Sequence, residues 1–497
     1  MQLADLKPKE LWDEFFEICK IPHGSGNIDA LRAFIRARAE QRGFKCVEDG
    51  EAGNLLIVKP ADPGFENAPV ICCQGHLDMV CSKRSDCAHD FIKDPIKPQI
   101  SKVDGEDVVI ATGTSLGADN GIGVATGLAL IFDKSFKTGK IEVFCTKDEE
   151  TTMHGVQHLK SDLLSAKYLL NLDSEDLGVI TIGSSGGFCQ TITIPQYPIQ
   201  ECKSCDCVTL TVKSCSGGHS GIDASEYHAN ASKCLGRLLD LAVSHGAGLC
   251  KIVGGVAHNA IPMDATACVC FSGVSKGDFL TKAKVLGELI KGEFTATDAG
   301  MIVEVNDSCA CCENCKCISN ENARKIVDFL NIVPSTVLRM SQDVKGLTES
   351  SINLGKVRFN SVDQSQNFFL LLARSSINSF LPYIQQQLNA LARLAGFTTS
   401  DMQDPYGGWA PNTKSALLKI AISETAKVMK MKDSEVKIEA IHAGLECGEI
   451  ISKYPHIEAI SIGPTIKNPH SDRELIKINT VEQFYQITKN IIQELSK

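Results

Sequence analysis

The alternation of apolar and polar positions divides the chain into recognisable stretches. Leu11, Trp12, Phe15, Phe16 and Cys19 recur at helical spacing between charges, as do Ile28, Leu31, Phe34 and Ile35, so two helices are predicted within residues 1–50. Short runs of β-preferring residues follow at 54–58, 70–73, 141–146 and 168–172. A glycine-rich loop over 113–127 lies between the second and third runs and opens a helix from about Ile122. After a glycine-rich turn at 183–187 the texture changes. Strand patterns at 207–212, 265–271, 302–305 and 368–373 alternate with helices near 225–241, 278–290, 322–330 and 378–394, in which a strand–helix–strand unit occurs twice. From 405–411 the first texture returns, with a helix at 414–429 and strands at 438–442 and 459–462. Thr480 and Gln483 form a capping-box pair opening a last helix whose Phe484, Ile487, Ile491 and Leu495 share a face.

The chemistry lies where the early strands stop. The run from Val70 delivers His76 and Asp78, which a period of two points the same way while Leu77 turns inward. A carboxylate beside an imidazole can fix its tautomer and raise its basicity as a metal ligand. The strand at 141–146 ends in Asp148, Glu149 and Glu150, whose mutual repulsion leaves two readings, a solvated turn or a cation among them. The strand at 168–172 ends in Asp173, and Asp119 sits in the intervening loop, as a helix cap or as a ligand. Ligand sites of open α/β sheets form beyond the carboxyl ends of strands, where these acids converge. The glycine loop does not suit a phosphate: Gly121, Gly123 and Gly127 have the wrong spacing for a dinucleotide fingerprint, and Asp119 would repel an anion. In the middle and late stretches, His219, His258–Asn259, Arg374, His442, Glu446 and His470 stand in polar punctuation as candidate ligand contacts.

At 497 residues the chain exceeds one ordinary core, so two or more domains are expected. The net charge of −10, with no basic tract, excludes a nucleic-acid partner. No signal-like start and no apolar run long enough for a membrane span is present, so a cytoplasmic, reducing compartment is expected. The 22 cysteines are then mostly thiols. Cys72, Cys73, Cys145, Cys268 and Cys270 lie in apolar strand patterns and read as small buried hydrophobes. Two clusters, Cys202, Cys205 and Cys207, and Cys309, Cys311, Cys312, Cys315 and Cys317, lack the paired spacing of a zinc ribbon and read as cysteine-biased loops.

Taken together, Gly-His76-Leu-Asp78, Ser-Leu-Gly-Ala-Asp119-Asn-Gly, Asp-Glu149-Glu150-Thr, Asn-Leu-Asp173-Ser-Glu, Gly-Gly-His219-Ser-Gly, Asn259-Ala-Ile-Pro, Ile-His442-Ala-Gly-Leu-Glu446 and Pro-His470 resemble the M20 metallopeptidase family over essentially the full length, in particular its aminoacyl-histidine dipeptidase type. The resemblance implies an α/β fold: a discontinuous zinc-peptidase catalytic domain, residues 1–186 and 402–497, with a mixed sheet flanked by helices, and an inserted α+β lid and dimerisation domain, 187–401. It implies two zinc ions, with cobalt or manganese acceptable to the same donors: His76 and Asp173 on one, Glu150 and His470 on the other, and Asp119 bridging. Glu149 would be the general base and Asp78 would orient His76. His219 or another histidine of the lid would donate to an oxyanion, and Arg374, with Asn259 nearby, would take a substrate carboxylate. His442 and Glu446 would lie near the substrate's amine end or support the fold. The implied substrate is an unblocked dipeptide, including Xaa-His, and the implied assembly a homodimer. A related carboxypeptidase or N-acyl amino acid deacylase is the nearest alternative. A thiol-rich metal-binding or interaction protein on an inactive hydrolase scaffold is the alternative of another class. Two departures from the family pattern, His258 where an arginine is usual and the divergent segment 309–317, bear on side-chain preference and leave the metal ligands untouched.

Overall fold

The computed structural model describes residues 2–201, 207–271, 276–308 and 316–497, so Cys202, Cys205, Cys309, Cys311, Cys312 and Cys315 lie outside the described residues. The chain forms two compact units: Met1–Ser184, Trp409–Ala440 and Leu445–Lys497 make the first, Ser185–Gly408 and Ile441–Gly444 the second.

The first unit is built on an eight-stranded sheet in the order Lys45–Glu48, Leu55–Lys59, Ile141–Thr146, Ile71–His76, Tyr168–Asn171, Glu458–Ser461, Val179–Ser184, Lys437–Ile441. Ile71–His76 pairs in parallel with both Ile141–Thr146 and Tyr168–Asn171, and Glu458–Ser461 pairs in parallel with the latter. Their carboxyl ends therefore open on one edge. Every residue of Ile71–His76, Ile141–Thr146 and Tyr168–Asn171 is buried, which is why these runs are apolar almost without alternation. The first parallel strand runs on to His76, past the expected end at Cys73, because Gln74 and Gly75 are interior positions.

The helix Ala118–Phe132 is buried over nearly its whole length and lies hard against the sheet. A Cβ at Gly123 would sit 2.3 Å from the Leu172 carbonyl oxygen, so glycine there permits close approach rather than phosphate binding. The C-terminal segment returns twice. Glu458–Ser461 enters the main sheet, and Ile466–Lys467 and Leu475–Lys477 join Glu106–Ala111 and Pro98–Val103 in a four-stranded antiparallel sheet. The last helix spans Ile478–Leu495, two residues earlier than the expected cap. Thr480 is inside it, where its hydroxyl donates to Lys477 O and accepts Thr465 N–H, so the Thr480/Gln483 capping box does not form.

The second unit carries a twelve-stranded sheet whose main path runs Ile302–Asn306, Cys207–Lys213, Ala265–Cys270, Gly248–Gly254, Thr348–Asn360, Phe368–Ser375, Gly186–Thr193, Thr398–Thr399. The helices Ala231–Ser244, Lys276–Glu293, Asn320–Ile332 and Phe380–Ala395 pack their apolar faces on it through Leu235, Leu239, Phe279, Val327 and Leu388. The expected turn at 183–187 is extended chain, ending one strand at Ser184 and starting another at Gly186. A Cβ at Gly186 would lie 2.4 Å from Gly408 N, so these glycines serve strand contact. The long strand Thr348–Asn360 escapes the sequence pattern because a register shift between Leu354 and Lys356 moves its inward set from Ile352 and Leu354 to Val357 and Phe359. No helix among the described residues is long and apolar enough to cross a membrane.

Candidate active site

At the carboxyl edge of the parallel strands, acids and imidazoles from five chain segments meet. His76, at the end of its strand, points Nε2 at Asp119 Oδ1, 3.1 Å away, and at Asp173 Oδ1, 3.4 Å away. His470, from the hairpin between Ile466–Lys467 and Leu475–Lys477, points its Nε2 at the other oxygen of Asp119 at 3.0 Å and at Glu150 Oε2 at 3.1 Å. Asp119 thus faces two imidazoles with its two oxygens. It can do so because residues 119 and 120 leave helical geometry at the start of Ala118–Phe132. Ligand atoms of His76, Asp119 and Glu150 all lie within 4.8 Å of one another.

Behind these groups stands a set of positioning contacts. His76 Nδ1 is 2.9 Å from the backbone oxygen of Asp78, and the Asp78 carboxylate is farther off at 3.6 Å. The backbone oxygen therefore orients His76, while the carboxylate accepts the N–H groups of Glu149 and Glu150 and the hydroxyl of Ser25. Asp78 thereby places the two glutamates. Glu474, which local spacing gives no means of finding, accepts backbone N–H bonds from Leu116, Gly117, Ala118 and Asp119. It caps the helix that carries Asp119 and frees the Asp119 side chain from the capping task. Glu446 is buried beneath the edge, accepting from Gln74 and Thr146, and Gln74 in turn accepts from Asn171. Of the triplet at 148–150, Asp148 turns away to accept Gly26 N–H.

The protonation balance shows what the edge is built to hold. Burial works against a charged His76, yet Asp173, Asp119 and Asp78 outweigh it and raise the imidazole pKa well above its usual value. Hydrogen bonds to Asp119 and Glu150 take His470 up to about 11. The same imidazoles hold Asp119 far below the usual carboxylate range against its burial. Burial lifts Asp173 to about 6, offset in part by His76, and lifts Glu149 well above the usual range, with Asp173, Glu446 and Glu150 adding to the effect. The carboxylates and the two imidazoles thus shift one another in the sense that favours positive charge among the acids. Glu150 Oε1 and Asp173 Oδ1 are also buried without a hydrogen-bond donor. Unsatisfied carboxylate oxygens and imidazole Nε2 atoms facing a common space are the donor set of a divalent cation of the zinc class, and the residues fit such ions.

The second unit brings others of the predicted residues together. Arg374 is buried, donates from Nη1 to Tyr406 Oη at 2.7 Å, and has no acidic partner among the described residues. Its Nη2 is 3.4 Å from His219 Nε2. His219 Nδ1 accepts the N–H groups of Gly221 and Ile222, so in the neutral ring the proton sits on Nε2. Burial and Arg374 lower the His219 pKa. His442 Nε2 meets Ser351 Oγ at 2.7 Å, and burial followed by Arg374 and His219 takes its pKa down to about 3. Gly221 is where the chain passes over His442, since a Cβ there would lie 2.0 Å from the His442 carbonyl oxygen. Asn259 is exposed, and its backbone oxygen accepts Ser220 N–H. His442 and Glu446, close in sequence, belong to different units.

A parallel-sheet edge bearing this donor set beside a protonatable glutamate defines a metal-dependent hydrolase. No protein-family model matches the chain. It is 36% identical over 504 residues to the cytosol non-specific dipeptidase of Escherichia coli (strain K12), covering 99% of each. Its structure superposes on the aminoacylhistidine dipeptidase from Vibrio alginolyticus with a TM-score of 0.90 at 35% identity, over 99% of this chain and 98% of that one. The M20 family metallo-carboxypeptidase Sso-CP2 from Sulfolobus solfataricus shares the fold, with a TM-score of 0.52 at 13% identity over 98% and 99% of the two chains. The chain belongs to the M20 metallopeptidase family.

Replacing Glu474 by Gln sets an amide against the four backbone donors and loosens Asp119. Metal affinity, measured by competition with a chromogenic chelator, should fall about 10–100-fold. An unchanged affinity would show that the cradle does not hold Asp119.

Proposed function

We propose that this chain hydrolyses the single peptide bond of unblocked dipeptides, Xaa-His among them, with two zinc ions. His76 and Asp173 would hold one ion and Glu150 and His470 the other, with Asp119 shared between the two pairs. The observation that carries the reading is the pair of Asp119 oxygens, each 3.0–3.1 Å from a different imidazole Nε2, which is how a carboxylate shared by two cations is addressed. Cobalt or manganese would be accepted by the same donors. The Escherichia coli and Vibrio relatives, both named as dipeptidases, support the dipeptide class.

Bound ions of this class would polarise the scissile carbonyl and bring a water to usable acidity near neutral pH. Glu149 is placed as the general base: its carboxylate would accept the proton of an attacking water as the new O–C bond forms at the substrate carbonyl. It then delivers the proton to the leaving nitrogen as the C–N bond breaks. Burial and neighbouring acids raise its proton affinity, which suits a group that must accept and then release. Asp78 keeps Glu149 and Glu150 in place through their backbone N–H groups. Arg374, a buried guanidinium without an acidic partner among the described residues, is assigned the substrate's free carboxylate, with Asn259 as the neighbouring amide. His219, neutral with its proton on Nε2, is assigned to the oxyanion. His442, neutral at working pH, is assigned to the substrate-contacting group as well. A homodimer and a cytosolic location belong to the same proposal; the second rests on the name of the Escherichia coli relative.

Glu149→Ala should keep its zinc, measured by elemental analysis, while kcat falls about 10²–10⁴-fold. Unchanged turnover would remove the proposed base. Dipeptides and N-acetylated amino acids should be compared as substrates, and activity confined to the latter would move the assignment to a deacylase.

Arg374→Ala should raise KM for dipeptides about 30-fold or more, the effect of removing one partner of a buried charged hydrogen-bonded pair. C-terminally amidated analogues should be turned over equally by variant and parent. An equal loss on both substrates would mean that Arg374 supports the fold and does not read the carboxylate.

A further inference from the structure

The second unit holds a group of thiols that the peptidase chemistry does not use. Cys207, Cys250, Cys268, Cys270 and Cys317 form one buried cluster, each no more than 7% exposed. Within it the Sγ atoms of Cys207, Cys250 and Cys268 all lie within 4.8 Å of one another.

They converge from three neighbouring antiparallel strands. Cys207 and Thr209 pair with Cys270 and Cys268, which sets Cys207, Cys268 and Cys270 on one face. On the other side of Ala265–Cys270, the ladder to Gly248–Gly254 shifts register between Leu249 and Lys251, and Cys250 is the residue in the shift. The bulge takes Cys250 out of simple alternation, and its sulfur lies with the other two. The opposite face, with Val208, Leu210, Leu249 and Val269, packs on the helices. The cysteine face is therefore the one turned away from these helices; the cysteines themselves are buried, while farther along it Thr211 and Thr266 are polar and at least partly exposed. An outer face of an antiparallel sheet ordinarily carries such residues throughout. Cysteine as a small hydrophobe accounts for Cys72, Cys73 and Cys145 inside the parallel sheet, but it gives no reason for three sulfurs to converge across three strands on the outer face of another.

We propose that Cys207, Cys250 and Cys268 form a thiolate site for a soft divalent ion of the zinc type. Tetrahedral zinc with bonds of about 2.3 Å places its sulfurs about 3.8 Å apart, inside the 4.8 Å limit within which the three Sγ atoms lie. Cys270 and Cys317, in the same cluster, are the candidates for a fourth sulfur. Each thiol gives up its proton to solvent as the ion binds. An all-sulfur set selects zinc, cadmium or cobalt over manganese or magnesium, unlike the nitrogen and oxygen donors at the carboxyl edge of the first unit. The ion would tie three strands together across the sheet.

Cobalt titrated into the metal-free, fully reduced chain tests this, because thiolate-to-cobalt charge transfer absorbs in the near ultraviolet and imidazole or carboxylate ligation does not. The expected result is such a band, saturating at one ion per chain, lost in Cys268→Ser and at least halved in Cys207→Ser and Cys250→Ser, while Cys87→Ser keeps it. Dipeptide turnover of manganese-loaded Cys268→Ser should stay within about twofold of the parent, which separates this site from the peptidase reading. Absence of the band, or a band that survives all three serine variants at full strength, overturns the proposal. Should a serine variant fail to fold, X-ray absorption at the zinc edge of the parent chain decides: sulfur scatterers support the site, and nitrogen and oxygen alone overturn it.

Discussion

The charge carried by Asp119 is the constraint that the first unit is organised to satisfy. A carboxylate held mostly out of water needs compensation, and here each of its oxygens faces an imidazole while two further acids, Asp173 and Glu150, face the same imidazoles from the other side. Such an arrangement repels itself unless positive charge sits within it. Protons on His76 and His470 give one solution, divalent ions a better one, since they also satisfy Glu150 Oε1 and Asp173 Oδ1. The surrounding structure maintains the arrangement. Glu474 ties the loop before Asp119 through four backbone N–H groups, and Asp78 ties the turn that presents Glu149 and Glu150.

The second unit meets an analogous problem with the opposite sign. Arg374 is buried next to two histidines, and its neighbours are chosen to add no second positive charge: His442 is kept neutral by burial and by the guanidinium, and His219 is driven the same way. A buried cation beside neutral donors is prepared for an anion. The same unit carries the buried cysteine cluster on the face of its sheet opposite the helix-packed core.

Parts of this were legible in the residues themselves. The apolar strands at 141–146 and 168–172 announce themselves because burial on both faces leaves no polar alternation, and the acids that stop them stand out by contrast. The family motifs around His76, Asp119 and Glu149 gave the fold class and the peptidase family in advance. Legibility failed where a local signal has more than one cause. Glycines at 183–187 resemble a turn but allow strands to approach closely, Thr480 and Gln483 resemble a cap but sit within a helix, and the Leu354–Lys356 register shift breaks the alternation by which a strand is recognised.

What the sequence determined by itself is where its acids and imidazoles fall and the secondary structure that ends beside them, because hydrophobic periodicity and residue type are local properties. The tertiary structure alone decided which atoms meet. The pairing of Leu475–Lys477 with Glu106–Ala111 brings His470 to Asp119 across 351 positions, and Glu474 reaches its four amides by the same fold. It also decided that the Asp78 backbone, rather than its side chain, orients His76, and that Cys250 joins Cys207 and Cys268 through a bulge. Contacts of that kind depend on strand register and chain return, which no local pattern of residues encodes.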